Sequence, residues 1–182
     1  MTVAEPPVTP TTLSEPAAAP QEHTEPKGLA IICYSGDLEK TWAAMILAST
    51  AGAMAMPTKV FVTFWGLQTF VRDDVRITGD NWMQKMMSLM QRPGISHRKL
   101  SKMNFFGMGP WMMRKLAKQY NVASPKELLE MATLMGVEFV PCQMTMDMFG
   151  IKREDLIEGM GEPVGAATYL SYVGDGAAPL FI

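Results

Sequence analysis

Cysteine and histidine are scarce in this chain of 182 residues, with two of each. Two cysteines are too few for a disulfide framework, and neither residue type falls at metal-ligand spacing, so no metal is expected. No Ser-His-Asp set is evident. Charge of one sign is not in excess either: 16 Lys and Arg stand against 18 Asp and Glu, a net charge of -2. That balance gives no broad basic field, and nucleic acid is not an expected partner. No N-terminal stretch combines basic residues, an apolar core and a small-residue cleavage site, so the cytoplasm is the expected compartment. Long apolar runs are also missing. The longest, Thr41 to Pro57, is broken by Ser49 and Thr50 and falls short of the ~20 residues that span a bilayer. It reads as a buried core helix, and no transmembrane segment is expected. The turn Ser35-Gly36-Asp37 lacks a G-x-G-x-x-G or Walker pattern, so no nucleotide or other cofactor is expected.

What is present begins with proline. Pro6, Pro7, Pro10, Pro16, Pro20 and Pro26 punctuate residues 1–27 among Thr, Ala and Glu, a composition with too little apolar surface to offset ordering entropy. This is an expected disordered tail, with His23 a solvated residue inside it. Residues 28–182 then suit one domain. Gly28 to Tyr34 is a continuous apolar run, as in a central parallel strand. Leu38 to about Met56 is helix-forming, with Ser35 or Asp37 able to cap it, and Lys59 to Phe64 is a second strand, so the segment reads as a right-handed βαβ unit. Trp65 to Gly79 reads as a loop with a short helical turn and solvated charges. An insertion follows, about residues 80–120. Asp80 caps a helix through Met90, Pro110 restarts another, and His97, Arg98 and Lys99 form a small, solvent-facing basic cluster between them. Ser124-Pro125-Lys126-Glu127 matches a capping box and opens a helix that Gly136 stops. Lys152 to Glu158 is a short amphipathic turn, and Gly165 to Val173 fits either a last strand or a helix end.

The candidate site is the stretch Val137 to Gly150, VEFVPCQMTMDMFG. Val137, Phe139 and Val140 are strand formers, Pro141 ends the ladder, and Cys142 opens a helix. A thiol at a helix N-terminus is shifted toward the thiolate, from a pKa of ~8.5 toward ~7 or below, and a thiolate is a nucleophile. The competing reading is a buried cysteine acting as a small apolar residue. Cys33, at the carboxyl end of the first strand, falls on the same sheet edge as Cys142. The two are candidate neighbours, with Cys33 otherwise a plain core residue.

Methionine is the one conspicuous excess, 18 residues. Met83, Met86, Met87 and Met90 are at helical spacing, and Met103, Met108, Met112 and Met113 lie in the same insertion. Met144, Met146 and Met148 alternate beside Cys142. Thioethers and a thiolate suit Cu(I), but helical spacing also suits core filling or a subunit interface, and alternate helix positions do not share a side. Packing or an interface is the expected role.

Two motifs give the chain a family resemblance: Asp37-Leu38-Glu39-Lys40 after the first strand, followed by KVFVTFWGL at Lys59 to Leu67, and a strand ending in Cys142 with Gly150 eight residues on. From Gly28 to the C-terminus the sequence resembles the DsrE-like family, the DsrE/DsrF/DsrH sulfur-relay group. The resemblance implies a three-layer α/β/α fold with a mostly parallel sheet, here with a helical Met-rich insertion. It also implies a homo-oligomer and a sulfurtransferase-like carrier that holds sulfane sulfur as a cysteine persulfide between sulfur donor and acceptor proteins. The carrying cysteine corresponds to Cys142, while Cys33 lies outside the family pattern. The alternatives are a thiol-disulfide redox protein using Cys33 and Cys142, and a non-catalytic Met-rich binding or assembly module.

Overall fold

The computed structural model describes residues 26–77, 79, 81–90 and 92–182. The proline-rich tail up to Glu25 and the proposed cap Asp80 lie outside the described residues. Unbroken apolar side chains make Gly28–Cys33 a strand, β1, covered on both faces. A short polar turn leads into α1, Leu38–Ala53, and the chain returns as β2, Thr58–Val62, parallel to β1. The second strand ends before Phe64 because Phe64 takes a positive φ of 45° and starts the short helix α2, Phe64–Leu67.

The insertion carries α3, Trp82–Met90, and α4, Met108–Gln119. Then comes α5, Pro125–Leu134, whose first turn holds the expected capping box: Ser124 Oγ accepts from the Glu127 N–H, and the Glu127 carboxylate accepts from the Ser124 N–H. Next are β3, Glu138–Pro141, α6, Gln143–Phe149, and α7, Ala166–Gly174. The segment left open between strand and helix is therefore a helix. Tyr169 and Tyr172, three apart, share its inner side, donating to the carbonyls of Ala30 and Pro57.

A strand that the sequence did not announce closes the chain: β4, Ala177–Phe181, parallel to β1. Pro179 argues against a strand, yet β4 is an edge, where proline is tolerated. The sheet is four-stranded and all parallel, in the order β3-β2-β1-β4. Helices α1 and α5 cover one face, packing Leu38, Met45, Ala48, Leu128 and Ala132 on Ile31, Val60, Val62 and Phe139. Helix α7 covers the other, where Tyr169 meets Ala30, Phe61 and Ala177. Each large side chain fully buried in the main layer, Phe70 and Phe139 among them, is worth ~1.5–3 kcal/mol. Helix α1 is only half immersed, since Ile46 and Leu47 are exposed. No helix among the described residues is long and apolar enough to cross a membrane.

Candidate functional site

Cys142 stands where β3 gives way to α6. Its backbone is still extended (φ -77°, ψ 115°), and its N–H donates to the Val62 carbonyl at 2.9 Å, so the residue is tied to β2 while its own carbonyl accepts the first helical bond from Met146. Thr145, one turn into the helix, fixes the entry angle. Its hydroxyl lies 2.9 Å from Thr63 Oγ1 and accepts from the Phe64 N–H, which latches α6 to the end of β2. Gly150 ends the helix in the left-handed region at φ 67°, where glycine avoids the Cβ clash. The Gln84 amide of α3 donates to the carbonyls of Asp147 and Met148, so the insertion also caps this helix from below.

The thiol itself is covered. Cys142 is 4% exposed and sits in the smaller apolar cluster with Phe61, Tyr169 and partly buried Val164. The run from Met160 to Val164 closes the side of this cluster, lying along the outer edge of β3 like a fifth strand. Gly161 N–H donates to Phe139 O, Val164 N–H to Pro141 O and Gln143 N–H to Val164 O. An open thiol at a helix start is what local sequence suggests. The enclosure comes in part from a segment some twenty residues further on.

Cys33 ends β1 with no exposure, its Sγ directed at the Ser35 carbonyl at 3.9 Å. Burial pushes its thiol up to about 12, so it stays protonated. Of the two readings of Cys33, a neighbour of Cys142 or a plain core residue, the strand order rules out the first. β2 runs between them, and two strand spacings place their backbones ~9–10 Å apart, beyond the ~7 Å that a disulfide bridges. They also belong to different faces, Cys33 to the α1 side and Cys142 to the α7 side, and both are free.

Met144 and Met148 face solvent while Met146 is buried, so the alternating trio does not converge beside the thiol. Among the described residues no three His, Cys, Asp or Glu side chains gather as a metal site. The basic cluster of the insertion is corrected as well. Lys99 is exposed, but Arg98 is 5% exposed, its Nε donating to Gly94 O at 3.0 Å. Thr145, Val164 and Arg98 carry no sequence signal for these roles, because each depends on a partner distant along the chain.

The DsrE/DsrF/DrsH-like family model matches residues 25–181. Uncharacterized protein YrkE of Bacillus subtilis is 36% identical over 156 residues, 86% of this chain and 97% of its own length. Sulfur carrier protein DsrE2 of Allochromatium vinosum is 34% identical over 161 residues, 87% of this chain and 99% of its own. Among solved structures, a protein of unknown function from Methanobacterium thermoautotrophicum is similar over 85% of this chain and 99% of its own, at 14% identity and a TM-score of 0.42.

Proposed function

The chain belongs to the DsrE/DsrF/DrsH-like family, and from that premise we propose that it is a sulfur carrier in which Cys142 holds sulfane sulfur as a persulfide between a donor and an acceptor protein. The observation that carries this reading is the seat of Cys142: the N-cap of α6, at the carboxyl edge of the parallel sheet, in a chain similar along most of its length to a protein named as a sulfur carrier. Ligands and chemistry collect at that edge of parallel sheets.

The chemistry needs one thiolate. Cys142 Sγ attacks the outer sulfur of a donor persulfide, the donor S–S bond breaks, and the donor thiolate leaves. An acceptor thiolate then attacks the outer sulfur now on Cys142, and the Cys142 thiolate is the leaving group. Each step exchanges one S–S bond for another, with no net oxidation. Because the thiol is buried, the apolar side chains packed around it, Phe61, Tyr169 and Val164 among them, part before either partner sulfur reaches it. Cys33, protonated and enclosed, supports the core of β1 and takes no sulfur.

The test is intact mass after incubation with polysulfide. Wild type and Cys33→Ala gain whole sulfur atoms and lose them to an acceptor thiol, while Cys142→Ser gains none. Loading of Cys142→Ser at the wild-type level would overturn the assignment.

A further inference from the structure

Arg98 is a buried cation without a buried counter-ion. Its Nε and one terminal nitrogen donate to the carbonyls of Gly94 and Arg92, and among the described residues no carboxylate pairs with it. Its remaining nitrogen, Nη1, faces the turn between β1 and α1, where a Cβ placed on Gly36 would stand 2.9 Å away. Neutral carbonyls take two of its nitrogens but do not balance its charge, and an uncompensated buried charge is costly. Burial lowers the guanidinium pKa to about 10, with Asp73 and Asp37 opposing the shift only through space.

That guanidinium forms part of the wall of a cavity of about 600 Å³, with Tyr34, Ser35, Lys40, Trp65 and Lys99 around it. The cavity lies at the carboxyl end of β1. From β1 the chain passes through α1 to β2 on one side, while β4 lies on the other, so this is the switch point of the sheet, where open parallel sheets take ligands. The positive end of α1, a helix of 16 residues, starts there. Local charge has the same sign. Asp37 is already occupied by Lys40 and Ser35 Oγ, and Glu39 by Ser101, whereas Arg92, Arg98 and Lys99 form no ion pair among the described residues.

We propose that this cavity binds a small tetrahedral oxyanion, either a sulfur oxyanion or a phosphoryl group, with Arg98 and Lys99 as its counter-charges at the N-terminus of α1. The proposal is independent of the carrier reading. Cys142 belongs to the opposite face, so an anion held here does not touch its sulfur.

Titration calorimetry on the full chain tests it, with sodium thiosulfate and sodium phosphate as separate probes and sodium chloride at matched ionic strength as control. At least one probe is expected to bind saturably at one site. Its affinity falls about tenfold or more in Arg98→Gln and in Lys99→Ala, as loss of a charge-assisted contact requires. Thiosulfate binding without phosphate binding identifies a sulfur oxyanion, and the reverse a phosphoryl group. Heat no greater than the chloride control for both probes overturns the site, and so does wild-type affinity in Lys99→Ala. That surface variant decides the matter if Arg98→Gln does not fold.

Discussion

Cys33 and Cys142 end two strands of one sheet and belong to opposite faces of it, with β2 between them. A bond between their sulfurs would require the sheet to come apart. Under diamide in native buffer the monomer mass is therefore expected to stay unchanged, whereas the same treatment in urea removes two hydrogens. Loss of two hydrogens in the native protein would make the pair a redox couple.

The buried Cys33 thiol also makes stability fall in alkali. An unfolded cysteine titrates near 9.0 and the folded one at about 12. Below the unfolded value the contribution is complete. Between the two values the unfolded chain loses a proton that the folded chain keeps, so stability falls by up to ~1.4 kcal/mol per pH unit. Tyr169 and Tyr172, both raised by burial, act in the same direction at higher pH. Between about pH 8 and about pH 10 the urea midpoint of Cys33→Ala is expected to drop less than that of wild type. Equal drops would contradict the account.

Access to Cys142 is set by the apolar side chains packed around it. Val164→Gly removes the partly buried side chain packed against the cluster of Cys142 and raises backbone freedom by ~1 kcal/mol, so native-state alkylation of Cys142 should quicken about fivefold. An unchanged rate in a folded variant would mean that the thiol is reached from elsewhere.

The hydroxyl pair that seats α6 is open to a double-mutant cycle. Thr145→Val strands the buried Thr63 hydroxyl and the Phe64 N–H, at a cost of ~1–3 kcal/mol. Adding Thr63→Val to Thr145→Val should cost less than Thr63→Val alone, because the two hydroxyls satisfy each other. Additive losses in denaturant melts would show that they do not.

A homo-oligomer is predicted from what the insertion leaves in water. Trp82, Met83, Met86, Phe105, Phe106, Met108, Trp111 and Leu116 are all exposed in the single chain. Exposed apolar side chains in this number favour burial in a closed homo-oligomer. Sedimentation is expected to give a multimer, and Phe106→Ser with Trp111→Ser to shift it toward monomer. A monomeric wild type at micromolar concentration removes the claim.

Local chemistry made much of this fold legible: the apolar run of β1, the Ser124 box, and the passage from β3 through Cys142 to Gly150. Each depends on neighbours in sequence. Strand order was not legible, and with it went the relation of the two thiols. β4 was hidden by Pro179, which is acceptable only because pairing with β1 puts it on an edge. The segment from Gly165 to Val173 read ambiguously between strand and helix until the carbonyls that its tyrosines reach were in place. Arg98 looked like a surface residue because nothing in its neighbours announces the wall it joins.

Pro179 reaches beyond its own strand. Ile182, three residues on, exchanges bonds with β1 through its N–H and carbonyl, so alternation turns position 179 outward, to the free rim. An incoming strand there would meet a pyrrolidine ring in place of a donor. The opposite rim, β3, is already occupied by the run from Met160 to Val164. With a proline on one rim and a short irregular run on the other, joining of copies edge to edge into a continuous ribbon is disfavoured, and so is growth into cross-β fibrils. Contacts between copies are expected to run through helices and side chains instead.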